Sequence, residues 1–245
     1  PGSGFAPAFD PTLKTAQARV DLCRLADELS RTFDVTADVV VKIGNPLDVL
    51  VSESNRASLV VLGQRVGGSI KDLLLGTPAD RLLDACARPV LVVKQTAEGP
   101  YRRVLTGLDF TPTSDAAALL AAALVPAGDL YFTHVLHSKQ DDALRRTDIP
   151  STILRKLRER EKVGVIARMR RRVAAIGFDS RKLHFAVGRG PSAQTMLNQE
   201  QKKGADVLAV GRQRRSRVLR RLRARSAMVR LRDRCIRDDH FILQP

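Results

Sequence analysis

The sequence predicts an α/β protein of two doubly wound, parallel-sheet modules of Rossmann-like type, arranged in tandem. Two observations predict it. A strand–glycine–helix unit occurs twice in register, and β-rich runs alternate with helix-periodic runs.

The repeat comes first. Ala57-Ser-Leu-Val-Val-Leu-Gly63 and Ala205-Asp-Val-Leu-Ala-Val-Gly211 are the same apolar run ending in glycine. The same offset carries Ile70 onto Val218, Leu74 onto Leu222, Ala79 onto Ala227 and Leu83 onto Leu231, apolar positions at helical spacing. Upstream, Val39 to Ile43 runs into Gly44-Asn45-Pro46, and Phe185 to Val187 runs into Gly188-Arg189-Gly190-Pro191. Each is a β-rich run stopped by a Gly/Pro turn.

The second module, 101–245, reads in full. Strands are expected at 103–110, 129–136, 182–187, 206–211 and 240–243. Helices are expected at 114–124, 153–175, 193–203 and 217–232. Such alternation with short connections gives right-handed βαβ crossovers and a parallel sheet covered on both faces. The first module, 1–98, opens with a Gly/Pro loop and a helix at 13–33, with strands expected at 39–43, 57–63 and 89–93. The counterpart of the strand near Arg103 would fall about 45 residues before Pro1. The first module is therefore expected to lack its first strand, first helix and second strand. The linker, 95–101, is short.

Composition narrows the class. Aromatic residues are only 4%, with no Trp, so the cores must be aliphatic. Cys23, Cys86 and Cys235 show no metal-ligand spacing and read as reduced, buried thiols of a cytoplasmic protein, Cys23 and Cys86 lying on apolar helix faces. No stretch approaches the roughly 20 apolar residues of a membrane span, and no membrane contact is expected. His134, His137, His184 and His240 lack a third ligand nearby and read as structural; no metal is expected. No nucleophile elbow, paired carboxylates or Walker A is present, so an enzyme is not expected beyond a weak ATPase.

Charge is divided unequally. Residues 1–98 carry 11 Lys/Arg against 12 Asp/Glu, a net of −1, so with a formal net charge of +16 the rest of the chain carries +17. Twelve arginines and one acid, Asp233, lie between Arg212 and Arg237. The helix expected at 153–175 adds nine basic residues against Glu159 and Glu161. A solvated helix face is the plainer reading of a charge run. Ordinary solvated faces mix signs, however, and Arg217 with Arg220 and Arg221 would repel one another in a free helix. A polyanion is the partner this pattern favours, and arginine forks bind phosphate. The candidates are Arg168, Arg171, Arg172, Arg212, Arg214, Arg215, Arg217, Arg220, Arg221, Arg223 and Arg225.

The first module also carries Gly63-Gln-Arg-Val66-Gly67-Gly68, then Gly76-Thr77. A glycine turn between strand and helix can cradle phosphate, or can simply allow tight packing. The whole segment SLVVLGQRVGGSIKDLLLGTPADRLLDACARPVLVV resembles the C-terminal half of universal stress protein domains, and the second module follows the same element order. ATP-binding members of that family carry Gly-x2-Gly-x9-Gly-Ser/Thr. Here Gly63, Gly76 and Thr77 match, Val66 replaces the second glycine, and Gly67 stands beside it. The resemblance implies ATP as a candidate ligand of the first module, with Gly63, Gly67, Gly76 and Thr77 as its site. In the second module the counterparts are Gly211, Arg214, Ala224 and Arg225, so only the first glycine survives. Asp109 stands where the family places its first-strand Asp. The resemblance further implies that 239–243 pairs with 90–93 across a pseudo-dimer seam. The expected function is a non-enzymatic stress-protein-like binder whose basic module contacts RNA, the ribosome included. The alternative is a nucleotide-binding stress sensor acting through the first module. Homo-oligomers are compatible with either.

Overall fold

The computed structural model describes residues 11–63, 85–93, 99–136, 150–178, 182–211 and 239–243. The chain divides into two compact units, Pro1–Leu50 and Val51–Pro245.

The first unit holds helix α1 (Pro11–Phe33) and the start of α2 (Pro46–Ser54). Asp34 ends α1 with a positive φ of 53°, a conformation Asp tolerates better than most residues. Asn45 opens α2: its side-chain oxygen accepts from the Leu47 amide at 3.0 Å, and Pro46 follows at the first helical position. No described side chain of α1 is buried, and Leu13 and Phe33 are 70% and 66% exposed. Cys23 is therefore exposed, contrary to the expectation of a core thiol: the apolar spacing is there, but no described layer of this unit covers it. Residues 39–43, expected as a strand, are extended without a ladder. Exposure alternates along 37–42 as in a strand, yet no described strand pairs with them. A period-2 pattern becomes a strand only when a neighbour accepts its hydrogen bonds.

The second unit is built on seven strands: β1 (Val60–Gly63), β2 (Val90–Val93), β3 (Arg103–Gly107), β4 (Asp129–Leu136), β5 (Leu183–Arg189), β6 (Val207–Gly211) and β7 (Asp239–Leu243). They form one sheet in the order β1-β2-β7-β6-β3-β4-β5. All neighbours are parallel except β2 and β7, which run antiparallel with Val90 opposite Ile242, Leu91 opposite Phe241 and Val92 opposite His240. The expected seam is thus present: the last strand of the second repeat lies against the last strand of the first.

Among the described residues the unit also holds helices α3 (Pro112–Leu124), α4 (Ser151–Ala175) and α5 (Ser192–Lys203). Strand alternation sorts the core into two layers. Val104, Leu130, Phe132, Val207 and Ala209 meet Ala118, Ala121 and Ala122 of α3 and Met169 and Val173 of α4. Leu105 and Leu208 meet Ala193, Met196 and Leu197 of α5. Leu91 of β2 belongs to the α3/α4 layer, so that core continues across the antiparallel seam. The aliphatic packing matches the scarcity of aromatics, with Phe132 as the largest fully buried side chain. Strand order reverses at β3, whose neighbours are β6 and β4, and that switch point directs attention to the carboxyl ends of β3 and β6.

Candidate functional site

Asp109, Phe110 and Thr111 leave β3 and enter α3. Thr111 is the N-cap: its hydroxyl accepts from the Ser114 amide at 3.3 Å, and Pro112 occupies the first turn. The Thr111 hydroxyl also donates to the Asp109 carboxylate, and the Thr111 amide donates to the same oxygen at 3.1 Å. Thr113 completes the cluster, with 2.9 Å between its hydroxyl and that of Thr111. Asp109 thus spends one carboxylate oxygen fixing its own turn.

Phe110 adopts a φ of 65°, a backbone region bulky residues avoid, at a cost on the order of 1–3 kcal/mol. Its ring is held on two sides. The Arg168 guanidinium lies 3.9 Å from the ring centroid, and the His134 ring lies 4.8 Å away. His134 Nδ1 is 2.7 Å from the Leu108 carbonyl oxygen, which can only accept, so Nδ1 carries the proton. His134 accordingly has the structural role expected from sequence.

Two expected polyanion contacts are engaged within the fold. Arg168 covers Phe110. Arg172 forms a bidentate pair with Asp115, Nε to Oδ1 at 3.1 Å and Nη2 to Oδ2. That hydrogen bond first, and the carboxylate's charge second, push the Arg172 pKa above its ordinary value. Arg171 is exposed on α4. Arg212, Arg214, Arg215, Arg217, Arg220, Arg221, Arg223 and Arg225 lie outside the described residues, as do Gly67, Gly76 and Thr77. Gly63 ends β1, paired with Val93.

The two glycines equated by the repeat differ in surroundings. A Cβ on Gly211 would lie 2.6 Å from the Ser114 amide nitrogen and from the Thr113 carbonyl carbon, so the end of β6 is pressed onto the first turn of α3. A Cβ on Gly63 would meet nothing within 4 Å among the described residues. In the second repeat the surviving glycine therefore serves close packing. Among the described residues no group of three His, Cys, Asp or Glu side chains is placed to hold a metal, and no helix is long and apolar enough to cross a membrane.

Sequence reasoning missed Asp115 as the partner of Arg172 and Phe110 as the seat of Arg168. The first pair is separated by 57 residues and has no local signal. The capping residues Thr111 and Pro112 did carry one, and they place the start of α3 two residues earlier than the expected 114.

Sequence comparison decides the family, since the universal stress protein family profile matches residues 5–94 and again 100–229. The chain belongs to the universal stress protein family. Two curated relatives, from Mycolicibacterium smegmatis and Mycobacterium tuberculosis, are universal stress proteins 32% and 31% identical over 96 and 99 residues. Those alignments cover 38% and 39% of this chain, and only 33% and 31% of the relatives' own lengths. Among solved structures, a universal stress protein from Archaeoglobus fulgidus superposes with a TM-score of 0.65 at 18% identity, covering 99% of this chain and 82% of that one. A protein of unknown function from Pseudomonas aeruginosa gives 0.58 at 20% identity, covering 92% and 77%. At these identities the structural likeness establishes the fold of this universal stress protein, including the tandem arrangement of its sheet, and nothing of its ligands.

Proposed function

We propose that this universal stress protein is a non-enzymatic binding protein of the cytoplasm, with repeats at 1–98 and 101–245, whose second repeat contacts structured RNA, ribosomal RNA included. The observation that supports the reading is the state of charge around α4. Its two acids are neutralised within the fold: Glu159 by Lys162 at 3.3 Å, and Glu161 by Arg189 of β5. Asp115 is neutralised by Arg172. Arg155, Lys156, Arg160 and Arg171 are exposed and form no ion pair among the described residues, whereas Arg170 lies over the Phe185 ring. A surface whose carboxylates are satisfied internally and whose guanidinium groups face water is suited to phosphate.

Titration of a fluorescent structured RNA at increasing salt tests this. Phosphate neutralisation by several side chains gives a log–log slope of several units, because each contact releases counterions. A flat salt response sinks the reading. The second reading, ATP at the first repeat, is favoured by the position of Gly63 at the carboxyl end of β1, with Gly76 and Thr77 following in sequence. Calorimetry with ATP tests it: Gly76→Val blocks the cradle, and absence of heat with the unaltered chain removes it.

A further inference from the structure

We infer that the basic face of α4 takes double-stranded rather than single-stranded nucleic acid, recognised through its phosphates. This rests on the RNA reading above and narrows it to a class of substrate.

Single-strand binders combine a cationic groove with free aromatic faces on which bases stack. In the unit Val51–Pro245 the described aromatic side chains are all in use. Phe132 packs against Phe178 and Phe185, with ring centroids 5.9 and 5.7 Å away. Phe110 is covered by Arg168. Tyr131 stacks on His184 at 4.4 Å, and Tyr101 packs against the core. Among the described residues, no base can stack on an aromatic ring of this unit without disturbing a contact the fold already makes.

What the face does offer is a row of point contacts. Lys156, Arg160 and Arg171 are exposed on the side of α4 away from Met169 and Val173, the two residues it buries. The row spans about 22 Å at a rise of ~1.5 Å per residue. Between the charges this side carries Val163, Gly164 and Ala167, which supply no hydrogen-bonding side chain for reading a base edge. The row is rigid because it is one helix. A duplex presents phosphates of two strands at fixed positions along such a line. A flexible single strand must be ordered to do the same, at an entropic cost that no aromatic stacking offsets among the described residues.

The test is fluorescence anisotropy with the whole chain, an RNA duplex of about 16 base pairs, its separate strands, and the matching DNA duplex. The duplex RNA is expected to bind several-fold more tightly than either strand. Lys156→Ala with Arg160→Ala should lower the salt slope for the duplex by about two units without moving Tm. Arg171→Ala gives an independent third variant, expected to remove about one unit. Equal binding of duplex DNA supports a phosphate-only mode. Phe33 of the first unit is exposed, and Phe33→Ala should leave binding unchanged. Tighter binding of a single strand, or loss of binding in Phe33→Ala, overturns the inference while leaving the basic-face reading standing. Absence of binding to every probe at low salt removes both.

Discussion

Arg172 of α4 holds Asp115 of α3 through both ends of its guanidinium fork, although 57 residues separate them in sequence. The Asp115 side chain is only 11% exposed and sits in the first turn of α3, where the helix dipole also favours its charge. The pair ties the two helices that cover the same face of the sheet.

Removing the cation should therefore destabilise the fold. Arg172→Ala strands a nearly buried carboxylate and is expected to lower Tm, whereas Arg171→Ala, at an exposed neighbour, should not. Differential scanning of the two variants checks this. Because Asp115 raises the Arg172 pKa, the arginine's share of the stabilisation is complete below its unfolded pKa. It is lost only as pH rises through the still higher folded value. The Tm difference should then stay constant across neutral and mildly alkaline pH. A decline within that range would contradict the pairing.

The repeat-related glycines give a paired experiment. Gly211→Ala places a methyl against the backbone of Thr113 and Ser114, which must move apart, at a cost of about 1–3 kcal/mol. Gly63→Ala meets no described neighbour and should cost less than Gly211→Ala. Equal losses in urea denaturation would show that the strand end at Gly211 is not closely packed.

Thr111 offers a smaller, chemically specific effect. Thr111→Ala removes the N-cap of α3 and should cost about 1 kcal/mol. Thr111→Ser keeps the hydroxyl and should retain most of the stability. Chemical denaturation of both variants distinguishes loss of the cap from loss of the methyl group.

Much of this architecture was legible in the sequence because it depends on local pattern. The strand at 129–136 stands where alternation placed it, and the helix at 153–175 gained two residues at its start. The pairing of 239–243 with 90–93 followed from the family resemblance, and its antiparallel direction is what the structure adds. What could not be read is what depends on a third partner. Residues 39–43 have the pattern of a strand and no described neighbour to make one. Cys23 has the spacing of a core residue and no described layer above it. Arg168 and Arg172 looked like surface charge, and only the arrangement of helices on the sheet brings them to Phe110 and Asp115.

β7 carries the strongest backbone prediction. Its central residue Phe241 is paired with Leu91 on one side and Ala209 on the other. Phe241→Pro removes a donor from a strand flanked on both edges, at a cost of about 3 kcal/mol or more. Hydrogen exchange should then show lost protection at the β2–β7 seam while β3, β4 and β5 stay protected. Retention of protection in β2 would mean that the seam does not hold the sheet together.

The place of β7 also bears on how the protein is made. Translation delivers β2 and β6 before β7, and in the finished sheet both flank it. Until β7 emerges, the nascent chain presents two bare strand edges at the middle of its future sheet, one from each repeat. Any chaperone that shields apolar, unpaired edges has its clearest target in that interval, and a pause between β6 and β7 would prolong it.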